Sequence, residues 1–193
     1  TPLSSLMAWV EILKSQGVDG STTDEMSKDV HRLEMITDRF SKIGSTPKLQ
    51  EENIYEVLEK AVDYIRNRTS NKVKIETISA GNSPIKLSVS LFNWVIENLC
   101  KNAIDAMEGS GNITLDVIEK NDNIIIDITD TGKGIPSAKQ KAIFEPGYTT
   151  KQRGWGLGLS LTKRIIKDYH KGKIFVHKSI EGKGTTFRII LNK

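Results

Sequence analysis

The chain has 193 residues, a formal charge of +4, 37% hydrophobic and 27% charged residues, and one cysteine. That is ordinary globular composition; it leaves no disulfide framework within the chain, and no stretch approaches the apolar length of a membrane span or reads as a signal peptide. Basic residues are scattered apart from a mild cluster at Lys163, Arg164, Lys167, Lys171 and Lys173; without groove-reading or aromatic features beside it, this is a solvated helix face and no nucleic-acid site.

In chain order, residues 1–44 read as two helices. Thr1-Pro2 has the form of an N-cap and first turn. Leu3, Leu6, Val10 and Leu13 recur behind it up to about Lys14, where "SQGVDGST" breaks the pattern. A second helix starts near Asp24 and carries Met26, Val30, Leu33, Thr37, Phe40 and Ile43 on one face. Both stripes are narrow, as in a coiled-coil seam. A lone hairpin of this length buries too little to be stable, so two copies are expected to pair as a four-helix bundle, making a homodimer through residues 1–44.

"GSTPKLQ" marks the domain boundary, giving a hairpin over 1–44, a linker over 45–50 and a second domain over 51–193. Beyond it the pattern predicts a helix over Ile54–Thr69, a strand over Val73–Ile78 and an apolar helix over Ser90–Met107. Strands over Asn112–Glu119 and Asn123–Thr129 follow, joined by a "KNDN" turn. A short helix is expected at Ser137–Ile143, a longer one at Leu157–Tyr169, and a last strand pair at Lys173–Lys178 and Thr185–Leu191. The expected class is α+β: a helical hairpin followed by a two-layer α/β sandwich with a mixed sheet.

Three glycine clusters, "DTGKGI" at 130–135, "GWGLGL" at 154–159 and "EGKGTT" at 181–186, lie at element junctions. Each alone reads as a turn. Together they suggest backbone amides brought close to a polyphosphate, with "GWGLGL" feeding a helix N-terminus. The Gly-Lys-Ser/Thr ending of a Walker loop is missing, and no strand leads into the cluster as a dinucleotide fingerprint requires. Asp130 ends the strand "NIIIDITD". It either caps the following turn or accepts a hydrogen bond from a ligand amine such as that of adenine, a choice that would favour ATP over GTP. Asn98 and Asn102, one turn apart, form either a polar surface row or an oxygen site for a hard cation such as magnesium.

These pieces resemble the boxes of sensor histidine kinases. "ENLCKNA" is similar to the N box, "DTGKGI" to the G1 box, "IFEPGYTTK" to the F box, "RGWGLGL" to the G2 box and "GKGTTF" to the G3 region, in family order over roughly residues 90–190. The resemblance implies the GHKL (Bergerat) ATP-binding fold shared with gyrase, mismatch-repair and chaperone ATPases. It also implies ATP or ADP and Mg²⁺ as cofactors and a response-regulator receiver domain as partner, with residues 1–44 as the dimerisation and histidine-phosphotransfer hairpin. The implied location is cytoplasmic, without direct membrane contact.

Position by position, the resemblance makes Asn102 the magnesium ligand and Asn98 its companion, with Asp130 reading adenine beside Gly132, Gly134 and Ile135. Phe144 resembles the aromatic at the base of a mobile lid, and Thr149, Thr150 and Lys151 its far end. Lys151 and Arg153 are placed to neutralise the γ-phosphate. Gly154, Gly156, Leu157, Gly158 and Leu159 resemble the phosphate-covering hinge, and Thr185 the hydroxyl that joins Asp130 through water at the adenine.

Three positions depart from the family pattern. The glutamate that activates water in the related ATPases is replaced by Asn98, with Glu97 one step off. Trp155 stands where a small hydroxyl residue is usual, over the nucleotide or the lid, and Asp105 stands where many kinases have a basic residue, as a solvent-facing acid or a tuner of metal affinity. The family's H box ends in Thr-Pro-Leu, matching Thr1-Pro2-Leu3. In that register Thr1 is the residue that orients water for phosphatase action, and the phosphoacceptor histidine would lie four residues before it; His31, His170 and His177 do not fit the motif. The expectation is a kinase module that binds nucleotide without phosphorylating itself. The alternatives are a nucleotide-binding interaction module without kinase activity and a gyrase-like or chaperone-like ATPase.

Overall fold

The computed structural model describes residues 2–30, 33, 47–151 and 156–193. Thr1, His31, Thr37, Phe40, Ile43, Arg153, Gly154 and Trp155 lie outside them. The chain divides into two compact units, Thr1–Pro47 and Lys48–Lys193.

In the first unit, helix α1 spans Pro2–Ser15 and helix α2 is described over 20–30. The second helix therefore begins at Gly20, before the expected Asp24, because Asp19 caps it. Its carboxylate accepts from the Thr22 N–H and hydroxyl at 3.1 and 3.0 Å. Val10, Thr23 and Val30 are buried, while Leu6, Met7, Trp9, Ile12, Met26 and Leu33 are exposed. The apolar surface is thus wider than the narrow seam expected from periodicity. No helix among the described residues is long and apolar enough to cross a membrane.

The second unit is a two-layer α/β sandwich. Strand β1 (Gln50–Asn53) leads into helix α3 (Ile54–Arg66), whose N-cap Asn53 accepts a hydrogen bond from the Tyr55 N–H at 3.2 Å. Its buried residues Ile54, Val57, Leu58, Ala61, Val62 and Ile65 keep helical spacing. Strands β2 (Val73–Thr77) and β3 (Pro84–Leu87) precede helix α4 (Val89–Ala106), which buries Leu91, Phe92, Val95, Ile96, Leu99, Cys100 and Ala103. Fully burying each large side chain on these stripes contributes about 1.5–3 kcal/mol. Burial pushes the Cys100 thiol up to about 12, so it is protonated and unreactive in the folded chain.

Strands β4 (Gly111–Lys120), β5 (Asn123–Asp130), β6 (Lys173–Ile180) and β7 (Gly184–Asn192) complete a five-stranded sheet in the order β2-β4-β5-β7-β6. The β2–β4 pair is parallel and the rest are antiparallel, so the sheet is mixed as expected. Alternate residues Ile113, Leu115, Ile124, Ile126, Ile128, Ile189 and Leu191 are fully or nearly fully buried on one face. On the opposite face Arg188 pairs with Asp127 through two bonds of 2.7 and 2.6 Å.

Three expectations change. β1 and β3, which pair with each other, have no counterpart in the sequence reading. The helix expected over Ser137–Ile143 is two short 3-10 turns, Ser137–Lys139 and Ala142–Phe144. The helix expected over Leu157–Tyr169 is α5 (Gly158–Arg164) continued by a π turn, Ile165–Tyr169.

That π turn presents the buried His170 to the start of α4. His170 Nε2 accepts the Ser88 N–H at 3.1 Å, and Nδ1 lies 3.0 Å from the Ile165 carbonyl. A neutral ring protonated at Nδ1 satisfies both; a second proton would set Nε2–H against an N–H. Burial pushes the His170 pKa below its ordinary 6.5, against the opposing pull of the Ile165 carbonyl. The unfolded chain therefore takes up a proton near that value while the folded chain does so only lower. Stability is complete above 6.5 and is lost as pH falls toward the depressed folded value. Denaturant midpoints at about pH 7.5 and about pH 5.5 are expected to fall further for the native chain than for His170→Gln; equal falls would contradict this.

Candidate active site

The site is built where β5 ends, α4 ends and the β6–β7 hairpin turns. Asp130 is the last residue of β5 and is 5% exposed. Its Oδ1 accepts from the Gly132 N–H at 2.8 Å and the Thr185 N–H at 3.3 Å. Among the described residues Oδ2 has no protein donor. Burial pushes the carboxyl above its ordinary 3.8, and the two backbone hydrogens oppose the shift. A strongly desolvated acid with one oxygen fixed and one spare is the kind of group found at binding sites.

The loop after Asp130 is held against α4. The Lys133 N–H donates to the Ala106 carbonyl at 3.0 Å, and a Cβ at Gly132 would lie 2.8 Å from the Ala106 carbonyl carbon and oxygen. Gly134 has φ +74° and faces the Ile180 carbonyl so closely that a Cβ would sit 2.3 Å from it. Ile135 is half-buried, its N–H donating to Ser179 Oγ at 2.8 Å.

Thr185 meets Asp130 directly through its backbone N–H, while its hydroxyl lies 2.9 Å from Ser179 Oγ. The physical reason is register. Thr185 is directly paired with Asp130 across β5–β7 and with Ser179 across β6–β7.

On α4, Asn98 and Asn102 lie on one side of the helix, with different neighbours. Asn98 Nδ2 donates to the buried Thr162 Oγ1 on α5 at 2.9 Å, and a Cβ at Gly158 would fall 2.5 Å from Asn98 Oδ1. Asn102 Oδ1 accepts from Lys151 Nζ at 3.0 Å, and the same ammonium donates to Asp105 Oδ2 at 2.5 Å. Asp105 is therefore an exposed acid that is ion-paired with Lys151. With two hard oxygens meeting one positive charge, the donor set suits an oxygen-seeking cation.

The F-box segment is anchored at one end. Phe144 is buried and meets Phe187 edge-on at 6.2 Å, with the Lys163 ammonium 5.8 Å from its ring centre. Past it, the Gly147 N–H donates to the Gly156 carbonyl at 3.1 Å, and Gly156 has φ +63° against the Gly147 backbone. Thr149 and Thr150 are exposed, and Thr149 Oγ1 accepts the Lys151 N–H at 3.1 Å. Leu157, Gly158 and Leu159 are half-buried where α5 starts. Ser179 and Thr162, which sequence reasoning did not single out, are the polar residues that tie these pieces together. Thr162 could have been noticed as a hydroxyl on the apolar side of its helix; Ser179 had no signal.

The model of histidine kinase-, DNA gyrase B- and HSP90-like ATPases matches residues 89–193. The chain belongs to this family, and the sandwich is a GHKL-type ATP-binding catalytic domain of the histidine kinase kind. It is 30% identical over 200 residues to sporulation kinase E of Bacillus subtilis (98% of this chain, 26% of that protein). It is 32% identical over 199 residues to sensor histidine kinase ZraS of Salmonella typhi (98% and 42%). The chain thus spans less than half the length of these relatives. Among solved structures, the catalytic domain of histidine kinase ThkA superposes with a TM-score of 0.67 at 27% identity, over 76% of this chain and 96% of that one. Full-length ShkA, solved with AMPPNP, gives 0.81 at 21% identity (98% and 42%). ThkA in complex with the response regulator TrrA gives 0.70 at 21% (100% and 58%). At those two identities the likeness is one of fold.

Proposed function

We propose that this chain is the ATP-binding catalytic part of a two-component sensor histidine kinase. It would transfer the γ-phosphoryl group of Mg·ATP to a histidine nitrogen, releasing ADP, for onward passage to a response-regulator aspartate. The observation that carries the reading is Asp130, buried with Oδ1 fixed by two backbone hydrogens and Oδ2 spare. In this reading Oδ2 accepts the adenine amino hydrogen, with Gly132, Gly134 and Ile135 around the base. Asn102 holds Mg²⁺ with Asn98 beside it, Lys151 and Arg153 meet the γ-phosphate, and the 154–159 segment covers the phosphates. Phosphoryl transfer needs little covalent help from protein, so positioning and charge neutralisation supply most of the rate. The AMPPNP complex of ShkA and the regulator complex of ThkA support nucleotide and receiver-domain partners.

Asn102→Ala is expected to weaken Mg·ADP binding about tenfold or more while leaving metal-free ADP binding nearly unchanged. Calorimetry with Mg²⁺ and with chelator reads the difference; equal losses in both would sink the metal role. Residues 1–44 form the dimerisation hairpin in this proposal, supported by exposed Leu6, Met7, Trp9, Ile12 and Met26 on the first unit. Light scattering is expected to give twice the chain mass at micromolar concentration, and a monomer would count against it.

An ATPase of the gyrase or chaperone kind is the second reading. The position that would carry the water-activating glutamate is Asn98, whose amide is engaged with Thr162. An amide cannot act as a general base. Steady ATP hydrolysis without a phosphoprotein would favour that reading.

A further inference from the structure

Lys151 stands on the loop after the F-box anchor, far in sequence from α4, yet its ammonium is shared by two α4 oxygens, Asn102 Oδ1 at 3.0 Å and Asp105 Oδ2 at 2.5 Å. Residues three apart on a helix face the same way, so these oxygens converge on one point. The ammonium marks that point as a place for positive charge. A divalent ion bound to the same oxygens and the ammonium would repel each other at close range.

We propose that Asn102 and Asp105 form a two-oxygen cation site that Lys151 fills in the absence of metal, and that metal binding expels the lysine and frees the 149–151 segment. Lys151 is thereby a built-in counter-cation. Asp105 becomes a metal-site residue, because its carboxylate brings the negative charge that Asn102 lacks. In its purpose the inference rests on the nucleotide-site reading above: the lysine released by Mg²⁺ becomes free for the γ-phosphate that arrives with that ion. Binding the metal and arming the phosphate contact are then one event. Both side chains of the ion pair are about two-fifths exposed, 42% and 41%, so solvent screens the pair and the competition is modest rather than absolute.

The test uses Mn²⁺ alone, as a paramagnetic substitute for Mg²⁺, on the ¹⁵N-labelled full chain without nucleotide. Broadening of the Asn102 side-chain amide signal reports the ion at the site. Lys151→Met, which keeps the side-chain bulk and removes the charge, is expected to lower the half-broadening Mn²⁺ concentration about threefold to tenfold. In an Asp105→Asn background the concentration rises and the effect of Lys151→Met shrinks to less than about twofold, since the shared carboxylate is gone. The same Mn²⁺ dependence with and without the Lys151 ammonium, or no broadening of Asn102 in any variant, overturns the proposal. ADP titration in excess chelator is read separately. If ADP fails to bind while the Mn²⁺ broadening and its dependence on Lys151 persist, the nucleotide-site reading fails and the cation site stands.

Discussion

Asp130→Asn is expected to abolish measurable nucleotide binding while leaving the domain folded. The asparagine keeps an Oδ1 that can accept the Gly132 and Thr185 N–H groups, so the local backbone cradle survives. What changes is the other branch. In the proposed pose Oδ2 accepts the adenine amino hydrogen; an asparagine Nδ2 would point a donor at a donor. Losing a hydrogen bond to a charged group is worth about 1.5–3 kcal/mol, a roughly 10-fold to 150-fold weakening, before the donor clash is added. Stability should hold or rise, because burial opposes the ionised carboxyl. Calorimetric titration with ADP, beside a thermal melt, separates the two effects. Unchanged affinity would refute the adenine role, and an unfolded variant would refute the claim that the cradle needs no charge.

The second large effect falls on Gly184. It has φ +113°, and a Cβ there would lie 1.9 Å from the Asp130 carbonyl oxygen and 2.9 Å from its carbon. The start of β7 presses backbone to backbone on the end of β5, so neither side can yield without moving the strand pair that carries Asp130 and Thr185. Gly184→Ala should destabilise the domain by about 3 kcal/mol or more, combining backbone strain with overpacking. Nearby Gly182 supplies the control. It too has positive φ (+75°), but nothing lies within 4 Å of its Cβ position. Gly182→Ala should cost only about 1 kcal/mol, the left-handed backbone penalty. Chemical denaturation of both variants checks this; equal midpoints would show that close approach, as distinct from φ, contributes little.

Much of this was legible from the sequence because the informative residues are contiguous. The apolar periodicity of 54–65 and 91–103 fixed α3 and α4, and the alternation in "NIIIDITD" placed Asp130 at a strand end. Elements escaped where local signal is weak. "QEEN" is polar and short and "PIKL" opens with proline, so β1 and β3 exist through each other's pairing and not through propensity. Pro136 before Ser137 and the brevity of the segment left two 3-10 turns in place of a helix. The site shows the same division. Aspartate and glycines in one loop could be read together, whereas Ser179 reaches Thr185 and Ile135 only because the β6–β7 register puts it there. Lys151 reaches Asp105 across 46 residues of sequence. A tertiary ion pair of that kind has no linear signature.

Competition between ATP and GTP for the intact chain in the presence of Mg²⁺ tests the central claim most directly. Guanine carries an oxygen where adenine carries its amine, and an acceptor facing the spare Asp130 oxygen would repel it. The account predicts that ATP binds and that GTP is weaker by about a hundredfold. Equal affinity for the two, or binding of neither, would contradict it.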